Sequence, residues 1–133
     1  LREISEIESI GDSCYNIART INRRIRGKED FIPAQYEHMH QMMELTDQAL
    51  TQMNITLVGH KGDNDANLSF NIENEINNYR NQLKSQNIND VNNHLYTYAI
   101  GTMYMDIIQE CEKLGDYIVN VVEARMGVRQ HEA

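Results

Sequence analysis

Apolar residues recur at intervals of three and four along most of the chain, and a single proline, Pro33, interrupts it. That combination constrains the fold more than any other feature. A spacing of three and four puts side chains on one face of an α-helix, whereas a strand needs alternation of two. Ile4, Ile7, Ile10, Cys14, Ile17, Ile21 and Ile25 form one such stripe, predicting helix 1 from Arg2 to Arg26 with Gly27 as its C-terminal cap. Pro33 suits a first helical turn, and Tyr36, Met39, Met43, Thr46, Leu50, Met53 and Leu57 predict helix 2 with a methionine-rich core face. A loop is expected over Gly59 to Asp65. Helix 3 is expected from about Asn67, with Leu68, Ile72, Ile76, Tyr79 and Leu83 inward and a break over Ser85 to Asn89. Helix 4 should run from about Val91 to Arg125, with Met103, Ile107, Cys111, Leu114, Ile118 and Val121 inward. The expected fold is all-α, an up-down bundle of about four helices in one domain over residues 1–133, as a fragment of a longer chain.

Charge and cysteine content narrow the functional classes. Twenty acidic against twelve basic residues give a net charge of -8, which repels phosphate backbones, so nucleic acid is not an expected partner. No window approaches the roughly 20 apolar residues of a membrane span, so this segment is not expected to cross a bilayer. Cys14 and Cys111 form no Cys-x-x-Cys pair and read as buried, reduced thiols, consistent with a cytoplasmic setting.

The most informative motif occurs twice. Glu8-Ser9-Ile10-Gly11-Asp12-Ser13-Cys14-Tyr15-Asn16 near the start is matched by Glu112-Lys113-Leu114-Gly115-Asp116-Tyr117-Ile118-Val119-Asn120 near the end. Residues four apart drift only about 40° around a helix, so Glu8, Asp12 and Asn16 form one inclined row and Glu112, Asp116 and Asn120 another. Each row lies away from the apolar stripe of its own helix, free to face solvent, a ligand or a second subunit. A solvated acidic surface is the plain alternative. Should the rows converge, a cation would relieve the repulsion of four carboxylates. Hard oxygen donors suit a divalent or trivalent ion such as Mg²⁺, Ca²⁺, Mn²⁺ or iron, which could in turn bridge to phosphate. Gly11 and Gly115 each cost a helix about 1 kcal/mol relative to alanine, which suggests a close approach at those positions.

Other chemistries find less support. Glu37 and His40 supply one Glu-x-x-His, the spacing of di-iron carboxylate bundles, but neither acidic row contains a histidine three residues after its glutamate. His94 is expected to open helix 4. No serine-histidine-aspartate, phosphate-loop or dinucleotide pattern occurs. A non-catalytic role is therefore expected.

The duplicated Glu-x-x-Gly-Asp-x-x-x-Asn segment resembles the signature of the PhoU family, whose members carry a Glu-x-x-x-Asp motif once in each of two helical repeats. Tyr98-Ala99-Ile100-Gly101-Thr102-Met103-Tyr104-Met105-Asp106, followed by Glu112, looks like the closing helix of the PhoU-like region of bacterial Na⁺/phosphate cotransporters. The resemblance implies a regulatory domain at the inner face of the cell membrane, a phosphate transporter's membrane domain as partner, and a homodimer. It also implies metal binding by Glu8, Asp12, Glu112 and Asp116, with Asn16 and Asn120 beside them. The alternatives are a structural interaction or dimerisation module and a di-iron enzyme.

Overall fold

The three-four periodicity is interrupted only at short glycine-, proline- and asparagine-containing connections, and the chain folds accordingly into four long helices. The computed structural model describes residues 2–59 and 63–127. In it, α1 spans Arg2–Arg26, α2 Pro33–Val58, α3 Asp63–Asn92 and α4 Tyr98–Met126. No described residue is in a strand.

The turns are set by local chemistry. Pro33 opens α2, and the Gln35 side chain accepts a hydrogen bond from the Ile32 N–H at 3.0 Å, filling a donor that the helix leaves unsatisfied. Phe31, buried, meets Tyr36 edge-to-face at 5.6 Å, while Arg24 pairs with Asp30 at 2.9 Å across the same loop. Between α3 and α4, His94 takes φ 60, and the Thr97 hydroxyl caps α4 by accepting from the Ile100 N–H. Gly127, at φ 73, ends α4 in the left-handed conformation that glycine adopts most cheaply.

Helices α2, α3 and α4 pack mutually, whereas α1 packs on α4 alone among the helices. Direction alternates from helix to helix. Arg2 meets Glu123 and Arg23 meets Asp106, so α1 and α4 are antiparallel; Gln41 with Tyr79 and Gln52 with Asp65 show the same for α2 and α3. The central position of α4 explains why it buries residues around most of its circumference, including Ile100, Tyr104, Ile107, Ile108, Cys111, Leu114, Ile118, Val121 and Val122.

Several expectations need correction. The α1 stripe is not its buried face: Ser13 and Thr20 are buried, Ile10 and Ile17 pack at the core's edge, and Ile4, Ile7, Ile21 and Ile25 are exposed. Its one neighbour presents Asp106, Glu110, Lys113 and Asn120 beside Cys111 and Leu114, so small polar residues and ion pairs share the seam with Ile10 and Ile17. Cys14 is consequently exposed, while Cys111 is buried, and burial pushes the Cys111 thiol up to about 12. In α2, Met39, Thr46 and Met53 are buried as expected, but Gln35, Met42, Ala49 and Thr56 are buried in place of Tyr36, Met43, Leu50 and Leu57, of which Tyr36 is exposed and the other three pack at the core's edge. This helix faces both α3 and α4, so the residues aimed between them are buried most deeply. Met43 and Leu50 instead border an open groove.

Helix α3 begins before Asn67, places Asp63 and Asp65 in the helix, exposes Leu68 and runs unbroken through Ser85–Asn89. Residues 60–62 of the expected loop lie outside the described residues. Helix α4 starts at Tyr98, seven residues later than expected, because the sequence from Asn93 to Thr97 forms the turn containing His94.

The start of α4 depends on a close approach. A Cβ on Gly101 would lie 2.9 Å from Val91 Cγ2, 3.1 Å from Asn87 Oδ1 and 3.2 Å from Tyr96 Cε1. Asn87 Oδ1 also accepts the Tyr96 hydroxyl at 2.6 Å, so the methyl cannot be relieved without disturbing that bond. Gly101→Ala is expected to destabilise the chain by about 1 kcal/mol net, despite alanine's helix preference, as measured by urea denaturation.

Candidate functional site

The duplicated motif falls on the two antiparallel helices α1 and α4. Their register follows from three contacts: Arg2 with Glu123 at 3.6 Å, Glu6 with Asn120 at 3.3 Å and Arg23 with Asp106 at 2.9 Å. Interpolation between them brings Asp12 within about a turn of the level of Asp116 along the helix pair. The two rows are thus level, but their side chains have different neighbours.

Glu112 and Asp116 are half-buried and turn towards α3. Arg80 Nη2 lies 3.7 Å from Glu112 Oε1, and Asn77 Nδ2 donates to Glu73 Oε1 at 2.7 Å. Asp116 lies between Glu112 and Glu73. Burial first, then the Glu112 charge and a hydrogen bond with Glu73, push its carboxyl up to about 7. A carboxyl in that range holds its proton well into neutral solution, so Asp116 can donate to a neighbouring carboxylate instead of repelling it.

On α1, Glu8 and Asp12 are exposed and form no ion pair among the described residues. Asn16 is half-buried in a polar cleft of about 170 Å³, where Arg19 and Thr20 of α1 face Asp106, Glu110 and Lys113 of α4. Asn120 donates its amide N–H to Glu6. The structure therefore joins Glu112 and Asp116 to each other and to α3, and links Asn120 to α1. No hydrogen bond or ion pair among the described residues joins Glu8 or Asp12 to α4. Among the described residues, no three or more histidine, cysteine or acidic side chains are arranged to hold a metal ion.

Glu73, Asn77 and Arg80 were not anticipated. Their spacing gave a usable signal, because positions separated by four and three share a helix face, next to the one carrying Ile76 and Leu83. The two motif glycines also differ. A Cβ on Gly115 would lie 3.2 Å from Ile76 Cδ1, a close helix approach, but one on Gly11 would meet nothing within 4 Å.

His38 and His40 each have a partner within the bundle. His38 Nδ1 lies 2.9 Å from the Tyr104 hydroxyl, and burial raises Tyr104 well above the ordinary tyrosine range. The tyrosine hydroxyl is therefore protonated and suited to donate to the ring. His40, from the Glu-x-x-His pair, is exposed and pairs with Glu44 at 3.0 Å. No helix among the described residues is long and apolar enough to cross a membrane. The chain matches no protein-family profile, no curated protein and no solved structure.

Proposed function

We propose that this chain is a non-catalytic, PhoU-like regulatory domain associated with sodium-dependent phosphate transport. The observation that carries the reading is the repeated Glu-x-x-Gly-Asp-x-x-x-Asn segment, lying level on two antiparallel, packed helices. The domain would sit at the cytoplasmic face of a transporter's membrane domain, as a homodimer, and transmit phosphate status through changed contacts.

Cation binding by Glu8, Asp12, Glu112 and Asp116, flanked by Asn16 and Asn120, forms part of the proposal. It requires the exposed Glu8 and Asp12 side chains to swing across the helix seam and Asp116 to surrender its proton. Affinity should therefore fall steeply below about pH 7, where protons compete for the same oxygens. Titration calorimetry with Mn²⁺, Fe³⁺ and Mg²⁺, with and without phosphate, tests this. Measurable binding, with an affinity that falls about tenfold or more in Asp12→Asn, is expected. Absence of binding at millimolar metal at pH 8 removes the cation from the proposal. The regulatory half is tested separately: deleting the domain from its transporter should change phosphate flux, and an unchanged flux rejects it.

A second reading, a structural interaction module, is favoured by the exposed isoleucines of α1. The two readings are compatible, because a regulatory domain also needs a docking face.

A further inference from the structure

Helix α1 presents an outward row that differs from the one it packs with. Ile4, Ile7, Gly11, Cys14, Ala18, Ile21 and Ile25 follow each other at alternating intervals of three and four, the spacing of a coiled-coil seam. All seven are exposed, Ile4 at 59%, Ile7 at 47%, Ile21 at 38% and Ile25 at 65%. Monomeric surfaces tolerate scattered apolar residues, but a continuous row along a whole helix indicates a partner.

We propose that this row pairs with the same row of a second copy of the chain, with the two α1 helices antiparallel about a two-fold axis near Cys14. Two properties of the row select that occupant. The first is size. Isoleucine pairs lie at both ends and Gly11, Cys14 and Ala18 in the middle, so reversing the helix sets bulky against bulky and small against small to within about half a turn. The small centre lets the backbones approach closely, and nothing lies within 4 Å of a Cβ placed on Gly11. This accounts for a glycine that the intrachain packing leaves unexplained.

The second property is charge. Glu3, Glu6, Glu8 and Asp12 make the first half of α1 acidic, whereas Arg19, Arg23, Arg24 and Arg26 make the second half basic. Arg23 and Arg24 already hold Asp106 and Asp30. Glu3, Glu8, Asp12 and Arg26 form no ion pair among the described residues, and Arg19 stacks on Tyr15. An antiparallel partner sets each acidic half against a basic half, twice by symmetry, whereas a parallel partner sets like against like. The apolar groove beside the row, bordered by Cys14, Ile17, Met43 and Leu50, extends the surface such a partner would cover.

The inference rests on the homodimer of the proposed function and adds its face and orientation; it is independent of the cation. Sedimentation equilibrium of the 133-residue chain in metal-free buffer tests it. The wild type is expected to dimerise, more weakly as salt rises from 50 to 500 mM, since opposite charges attract across the seam. Ile7→Ser with Ile21→Ser should weaken the dimer on the order of a hundredfold while leaving the helical circular dichroism unchanged, because both side chains are exposed. Arg19→Glu with Arg26→Glu should also dissociate it, and mixing that variant with Glu3→Lys, Glu8→Lys chains should restore dimers. A monomeric wild type at 100 µM overturns the homodimer. A dimer indifferent to the isoleucine pair overturns the face, and one strengthened by salt overturns the orientation.

Discussion

Ile76→Ala is expected to destabilise the chain by about 2–5 kcal/mol, read as a lower urea midpoint at constant slope. Ile76 is fully buried and its Cδ1 fills the notch that Gly115 leaves in α4. Removing those carbons forfeits their burial and opens a cavity at a close approach of α3 and α4. Gly115→Ala alone adds helix preference of about 1 kcal/mol but places a methyl 3.2 Å from that Cδ1, so its net effect should be small or unfavourable. In the Ile76→Ala background the obstruction is gone and part of the cavity is filled. Gly115→Ala should then stabilise by about 1 kcal/mol, giving a coupling that a double-mutant cycle measures directly. Additive effects would show that the two residues are not packed as described.

The glycine at 115 thus has a local structural reason, and this bears on what the sequence could reveal. The bounds of α1 were legible because an unbroken periodicity runs into an arginine cluster and Gly27. Its buried face was not, because periodicity reports an apolar stripe without saying what covers it. Helix α1 meets one neighbour, whose facing side mixes Cys111 and Leu114 with Asp106, Glu110 and Asn120, so Ile10 and Ile17 share the inward face with buried Ser13 and Thr20. The end of α3 misled for a related reason. Asparagine and serine over 85–93 have weak helix preference, yet buried Leu83, the Gln86 to Asp90 bond and the Tyr96 to Asn87 bond hold the last turns in place. The acidic rows were readable from spacing alone. The contribution of Glu73 was not, because the rotational setting of α3 against α4 is fixed by tertiary packing around Ile76.

That setting gives Asp116 an unusual effect on stability. Its carboxyl sits near 7 in the folded chain against an ordinary value of 3.8, raised by burial, by Glu112 and by Glu73. The folded state therefore holds this proton more tightly than the unfolded state does. Its contribution is most favourable below about pH 4, declines as pH rises from 4 towards 7, and is fully lost above 7, opposite to a carboxylate stabilised by a cation. Asp116→Asn keeps the shape and a donor for Glu73 but carries no charge at any pH. After discounting for partial exposure, the substitution should stabilise the chain by about 2 kcal/mol at pH 8. That corresponds to a rise in Tm of roughly 6–10 °C, shrinking to nearly nothing at pH 4. An equal gain at both pH values would mean that charge repulsion is not the cause, and a loss at pH 8 would mean that the ionised carboxylate has a stabilising partner. Manganese separates the two states further: if it binds the proposed site, it should raise the Tm of the wild type at pH 8 by relieving the repulsion among the ionised carboxylates, and leave Asp116→Asn much less affected.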